Sequence, residues 1–188
     1  VVKDCRFELE EVLERDLSSL EKIPENHFPR IPYEDAVSML KGEVEVNGKT
    51  SIQVLQEDLD AVIAKIDEVN AEIKEKESQI NAGGLKKGKL NFFKNKVGML
   101  KAELKDLEEQ KQNIPQWMES AKNFKRGEDL CGSDETVLTR LFSLPVMVYN
   151  WPTEIKAFYM KLAEGDPAHV KGVDVLAPEG YGEIVGGG

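Results

Sequence analysis

Cysteine is scarce. Cys5 and Cys131 are the only two in 188 residues, far apart and in no metal-ligand spacing. That argues against a disulfide framework and a zinc site, and it fits a reducing, cytoplasmic setting. Histidine is as rare. His27 and His169 both fall in expected loops, with no nucleophile–base pattern around them, so no catalytic side chain is assigned. No apolar run approaches the roughly 20 residues of a membrane span, and no membrane partner is expected. Asp4, Arg6, Glu8 and Glu10 interrupt any apolar opening, so no signal peptide is expected either. Basic residues are in deficit, 25 Lys and Arg against 35 Asp and Glu, for a net charge of −10. This argues against a general nucleic-acid coat protein and leaves room only for a local basic patch. With 40% hydrophobic and 32% charged residues, the chain has globular composition and a heavily charged surface.

The strongest pattern lies in the middle. Apolar residues at Ile52, Leu55, Leu59, Val62, Ile66, Val69, Ile73 and Ile80 recur in alternating steps of three and four, broken once at Lys76. A second seam runs through Leu90, Phe93, Val97, Leu100, Leu104, Leu107 and Ile114, broken at Lys111. Both are heptad stripes. Three glycines in Asn81–Lys89 turn the chain between them. The expectation is a long antiparallel helical hairpin over 50–121, with helices of roughly 40 Å. Thr50 or Ser51 caps the first helix, and Pro115 ends or kinks the second. The same stripes could also pair between molecules.

The hairpin tip departs from the overall charge. Gly83 to Lys101 holds Lys86, Lys87, Lys89, Lys94, Lys96 and Lys101 and no acidic residue. One reading is a solvated turn. The other is a phosphate-backbone contact, for which RNA is the natural ligand, because clustered ammonium groups release counterions on binding. Gly83-x-x-x-x-Gly88-Lys89 imitates a P-loop but is followed by Leu90, where a Mg²⁺-binding hydroxyl is needed, and it follows a charged helix rather than a buried strand.

The flanks, 1–49 and 122–188, form the other part. An acidic amphipathic helix is expected over about 3–22, carried by Phe7, Val12, Leu13, Leu17 and Leu20 and ended by Pro24 and Pro29. A short helix begins at Pro32-Tyr33-Glu34-Asp35 and runs to about Leu40. Asn47-Gly48 marks a hairpin or loop. Gly132-Ser133-Asp134-Glu135 caps a helix to about Phe142. Strands are then expected at 145–149, 155–162, 170–176 and 183–185, separated by turns at Asn150-Trp151-Pro152, Gly165-Asp166-Pro167 and Ala177–Gly180. Helices first and strands after give an α+β fold with an antiparallel sheet.

Within that sheet two acids stand out, Asp174 in Val173-Asp174-Val175-Leu176 and Glu183 before Ile184-Val185-Gly186-Gly187-Gly188. An acid inside an apolar strand is costly unless it is paired or on a metal. Were the strands neighbours, both carboxylates could face one cleft and hold Mg²⁺ beside phosphates. A salt bridge from Lys156 or Lys161 is the alternative.

Four blocks, in order along the chain, resemble a known family. Phe28-Pro29-Arg30-Ile31-Pro32-Tyr33-Glu34-Asp35-Ala36-Val37 is similar to the segment after motif 2 of the asparaginyl-tRNA synthetases. Pro145–Pro152 with Glu154-Ile155-Lys156-Ala157-Phe158-Tyr159-Met160-Lys161 resembles their next strands. Val173–Pro178 and Gly182–Gly187 resemble the strands that line their ATP site. The lysyl and aspartyl enzymes share the class II b fold, but the wording of these blocks favours asparagine.

The resemblance implies a partial class II antiparallel sheet with flanking helices. It also implies a parent enzyme, homodimeric in the family's manner, that makes asparaginyl-adenylate from asparagine and ATP and passes the asparaginyl group to tRNA(Asn). By position, Glu183 is implied as the acid on ATP and its Mg²⁺, Asp174 as the second acid near that metal, and Gly186 and Gly187 as the floor under the adenylate. Motifs 1, 2 and 3 and the anticodon-binding barrel are absent from this span. A piece of a catalytic domain, inactive alone, is therefore implied. The coiled coil is an insertion relative to the family pattern, with Lys86, Lys87, Lys89, Lys94 and Lys96 the candidates for contact with RNA. A non-catalytic protein- or RNA-binding module with a synthetase-like sheet is the competing reading.

Overall fold

The computed structural model describes residues 4–12, 17, 27–84, 86–178 and 180–188. Two compact units emerge, Val1–Ser51 with Ser120–Gly188, and Ile52–Glu119.

The first unit is built on a five-stranded sheet. In chain order its elements are strand β1 (Arg30–Pro32), helix α1 (Tyr33–Leu40), helix α4 (Gly132–Thr139), β2 (Val146–Pro152), β3 (Leu162–Ala163), β4 (Asp166–Ala177) and β5 (Gly182–Gly187). The spatial order is β1-β2-β4-β3, with β5 also on β4. Every pairing is antiparallel except β1 with β2, which is parallel. Helices α1 and α4 pack together and against the sheet, α1 on β1 and β2, α4 on β4 and β5. Their buried Ala36, Val37, Leu40, Val137 and Leu138 meet a core that includes Val146, Val148 and Leu176. Transfer of such side chains from water is the main term holding this unit.

Local signals explain the element ends. Glu34 and Asp35 occupy the first turn of α1, where acids suit the positive end of the helix dipole. At the start of α4, Asp134 Oδ2 accepts the Cys131 amide at 3.1 Å, closing a capping arrangement. Asn47 and Gly48 take φ of 54° and 81° between Val46 and Lys49, which pair as an isolated bridge. Two consecutive positive φ values are what a tight hairpin turn demands.

The second unit lies within helix α2 (Ser51–Asn81) and helix α3 (Lys87–Asn123). At about 1.5 Å per residue these exceed the expected length. Val69, Ile73, Val97 and Leu100 form its buried centre, with Ile80, Leu104 and Leu107 packed around them. Lys101 reaches Glu77 across the seam at 2.7 Å and Lys96 reaches Glu72 at 3.9 Å.

Several expectations are corrected. Pro115 does not end its helix, which runs on to Asn123. The strand expected over 155–162 is only Leu162–Ala163. Thr153–Ile155 form a 3₁₀ turn and Met160 N–H donates to Ala157 C=O at 3.0 Å. Over most of that stretch the alternating side chains face no partner strand, and Phe158 and Tyr159 stand 99% and 77% exposed. Asn150-Trp151-Pro152 is not a turn. Asn150 is a bulge residue with φ of 56°, and β2 continues to Pro152. His169 lies in β4 opposite Pro152, not in a loop. Half of the helix expected over 3–22, Leu13 and Leu20 included, lies outside the described residues, as does Pro24; within the described part, Glu8–Val12 form one π-helical turn.

Candidate functional site

Asp174 sits in the C-terminal half of β4. Its register partners are Val148 on β2 and Gly186 on β5, and directly opposed residues share a face. Glu183 would not share it by simple alternation, because it lies three residues from Gly186. A bulge corrects this. Val175 opposes Val185 but Leu176 opposes Glu183, so Ile184 is the extra residue and Glu183 turns to the Asp174 side. A Cβ at Gly186 would overlap Glu183 Oε1 and lie 3.0 Å from its Cδ and 3.2 Å from Asp174 Oδ1. The two carboxylates therefore converge over Gly186, where any side chain would displace the Glu183 carboxylate. Gly187 has open space where a Cβ would stand.

The remaining neighbours set the electrostatics. Asp174 is 8% exposed, and its Oδ2 accepts a hydrogen bond from Lys156 Nζ at 2.9 Å. The same ammonium reaches Asp129 Oδ1 at 3.2 Å and lies 3.7 Å from the centroid of the Trp151 ring, a cation–π contact. Burial works against the charged lysine, but the Asp174 hydrogen bond and the fields of Asp174 and Asp129 outweigh it and raise the Lys156 pKa. From α4, Glu135 Oε2 accepts the Glu183 amide at 3.1 Å. Burial first, then the charges of Glu183, Asp174 and Asp129, push the Glu135 carboxyl up, against the pull of that N–H.

The site is thus one lysine among acids from three elements and a loop. Lys156 satisfies Asp174 Oδ2 and leaves Oδ1 toward Glu183. Glu135 and Asp129 were not singled out in the sequence, where Glu135 reads as a helix-capping acid and stands 48 residues from the amide it holds. Among the described residues no group of three or more His, Cys, Asp or Glu is placed to hold a metal alone.

Residues 2–188 match the family described as tRNA synthetases class II (D, K and N). The chain belongs to that family. Asparagine–tRNA ligases are similar over part of it. That of Herpetosiphon aurantiacus is 54% identical over 61 residues, 32% of this chain and 14% of the relative. That of Pyrococcus furiosus is 54% identical over 65 residues, 35% of this chain and 15% of the relative. The chain thus matches about one seventh of the length of these class II relatives. Crystal structures of asparaginyl-tRNA synthetase from Pyrococcus horikoshii, one of them complexed with asparaginyl-adenylate, align over 94% of this chain and 23% of theirs, at 27% identity and a TM-score of 0.48.

The tip lysines fall in the other unit. Lys96 and Lys101 have their acidic partners in α2, and Lys89 lies 5.4 Å from the Phe93 ring centroid. Lys86, Lys87 and Lys94 have no acidic partner among the described residues.

Proposed function

We propose that the full-length protein of which this chain is a part is an asparagine–tRNA ligase. It joins asparagine to ATP as asparaginyl-adenylate, releases pyrophosphate, and transfers the asparaginyl group to tRNA(Asn). The partial identity to asparagine–tRNA ligases supports the choice of amino acid. The observation that carries the reading is the convergence of Asp174 Oδ1 and Glu183 Oε1 over Gly186.

That donor set fits Mg²⁺. The ion takes one or two carboxylates and fills its other positions with water and phosphate oxygens. Two free carboxylate oxygens on one sheet face supply that share. Glu183 and Asp174 would hold the ion, which when bound neutralises charge on the phosphates. Lys156 holds Asp174 in place through the hydrogen bond to Oδ2. Gly186 leaves room for the two carboxylates and Gly187 keeps the strand bare beside them, so the adenylate can lie against backbone. Positioning and charge stabilisation, rather than a proton-transfer pair, are what adenylate formation asks of these residues.

The isolated span is proposed to be inactive, the parent to be a cytoplasmic homodimer, and the α2–α3 hairpin to be an arm that contacts tRNA through Lys86, Lys87, Lys89, Lys94 and Lys96. The test of the site is Glu183→Gln in the full-length protein. Asparagine-dependent exchange of pyrophosphate into ATP should fall by about 10²-fold or more. Near-normal exchange would remove Glu183 from the site. No exchange in the unmodified full-length protein would favour the non-catalytic binding module instead.

A further inference from the structure

Phe92 is the feature of the hairpin that packing does not explain. Its neighbour Phe93 fills the seam and is 8% exposed, whereas Phe92 is 64% exposed. The two rings are 6.1 Å apart and tilted by 50°, so Phe92 stands off the hairpin and not on it. Residues three and four apart share a helix surface, and this places Gly88, Lys89, Asn95 and Lys96 around the ring. Gly88 has open space where a Cβ would be, which leaves the ring uncovered on the tip side. Asn91 and Asn95 are exposed and carry amides able to pair with a base edge.

We infer that Phe92 is a stacking platform for an unpaired RNA base, with the tip lysines holding the flanking phosphates. This rests on the reading of the hairpin as an RNA-contacting arm and specifies which RNA it takes, a single-stranded or looped segment rather than a regular duplex. Charge complementarity is the first argument: Gly83 to Lys101 holds six lysines and no acid, and although Lys96 and Lys101 pair with Glu72 and Glu77 of α2, Lys86, Lys87 and Lys94 have no acidic partner among the described residues. The second is chemical. Bases offer a π face to aromatic side chains whatever their sequence, and a cationic groove with an exposed aromatic is the usual way single strands are held. A lipid surface fits less well. A helix lying in a membrane interface needs a broad apolar face, and the apolar face of α3 is spent on α2.

The test uses the full-length protein, a 12-nucleotide oligouridylate, a duplex RNA of the same length, and vesicles of phosphatidylcholine with phosphatidylserine. Phe92→Ala should weaken oligouridylate binding about tenfold at every salt concentration. Phe92→Leu, which keeps apolar bulk without a π face, should do nearly the same. Phe92→Trp should bind at least as well, with its indole fluorescence quenched by the oligonucleotide. The double variant Lys86→Glu/Lys87→Glu should instead flatten the salt dependence, by about 0.7 in log–log slope for each lost phosphate contact. Wild-type affinity in Phe92→Ala, with the salt slope still reduced in the double variant, would overturn the stacking role and leave the arm intact. An unchanged slope as well would overturn both. Tighter binding to the duplex or the vesicles than to the oligonucleotide would overturn the single-strand assignment.

Discussion

Lys156 Nζ lies 2.9 Å from Asp174 Oδ2, and both side chains are close to nine-tenths buried. Removing one partner of such a pair strands the other charge away from water. Lys156→Met should therefore cost about 3 kcal/mol, and Lys156→Met/Asp174→Asn should recover part of it in urea unfolding. The sign with pH follows from the raised lysine pKa. The contribution is complete below the ordinary value of 10.5 and is lost as pH rises through the higher folded value. The gap between wild type and Lys156→Met should be level through neutral pH and close only in strong alkali.

Glu135 behaves in the opposite part of the range. Its folded pKa is also raised, so its contribution is complete below the ordinary value of 4.5 and is lost as pH rises through the folded value. Glu135→Gln keeps an acceptor for the Glu183 amide but cannot ionise. The variant should lose less stability than wild type as pH climbs from the ordinary carboxyl value toward neutrality. Urea midpoints across that window test this; parallel curves would refute it.

Tyr33 is fully buried. Its hydroxyl donates to Glu128 C=O at 2.6 Å and accepts the Gly127 amide at 3.0 Å, while its ring lies 5.1 Å from that of Trp151. Tyr33→Phe keeps the ring contact and strips both hydrogen bonds. A loss of about 1–3 kcal/mol is expected, with faster hydrogen exchange at the Gly127 amide. Unchanged exchange there would mean that the hydroxyl does not hold this loop.

In the hairpin, Leu100 and Met99 are neighbours with opposite fates, 2% and 70% exposed. Leu100→Ala opens a cavity between the helices and should cost about 2–4 kcal/mol. Met99→Ala should change stability by less than about 0.5 kcal/mol. Far-UV ellipticity followed through thermal unfolding separates the two, and equal effects would contradict the seam formed by Leu100.

Much of this is legible without coordinates because it depends on periodicity. The heptad steps specify which hairpin residues meet, since the period of the apolar stripe and that of the helix agree. Val146–Tyr149, Val170–Leu176 and Glu183–Val185 are similarly apolar and β-branched, and all lie in strands. What failed depended on partners distant in sequence. The segment from Ile155 to Leu162 has strand-like side chains, yet β4 pairs with β3 only at Leu162 and Ala163. Arg30–Pro32 is too short to announce itself and becomes a strand only through parallel pairing with Met147–Tyr149. In the site, the pairing of Asp174 with Lys156 was one of two outcomes the pattern allowed. The acids Glu135 and Asp129 carry no local signal at all.

The bulge at Ile184 has a further consequence for chains of slightly different length. Glu183 and Gly186 are separated by an odd number of steps, and the spare residue absorbs the mismatch. Losing or gaining one residue between them would make the spacing even, and an unbulged strand would keep both on the same side. Loss of the spare residue would leave the carboxylate opposite Leu176, and gain of one would carry it two positions along the strand, about 6.6 Å at about 3.3 Å per residue, without turning it away. Small insertions and deletions at this point would act as an adjustment of the gap between two acids, where in most strands they would invert the surface.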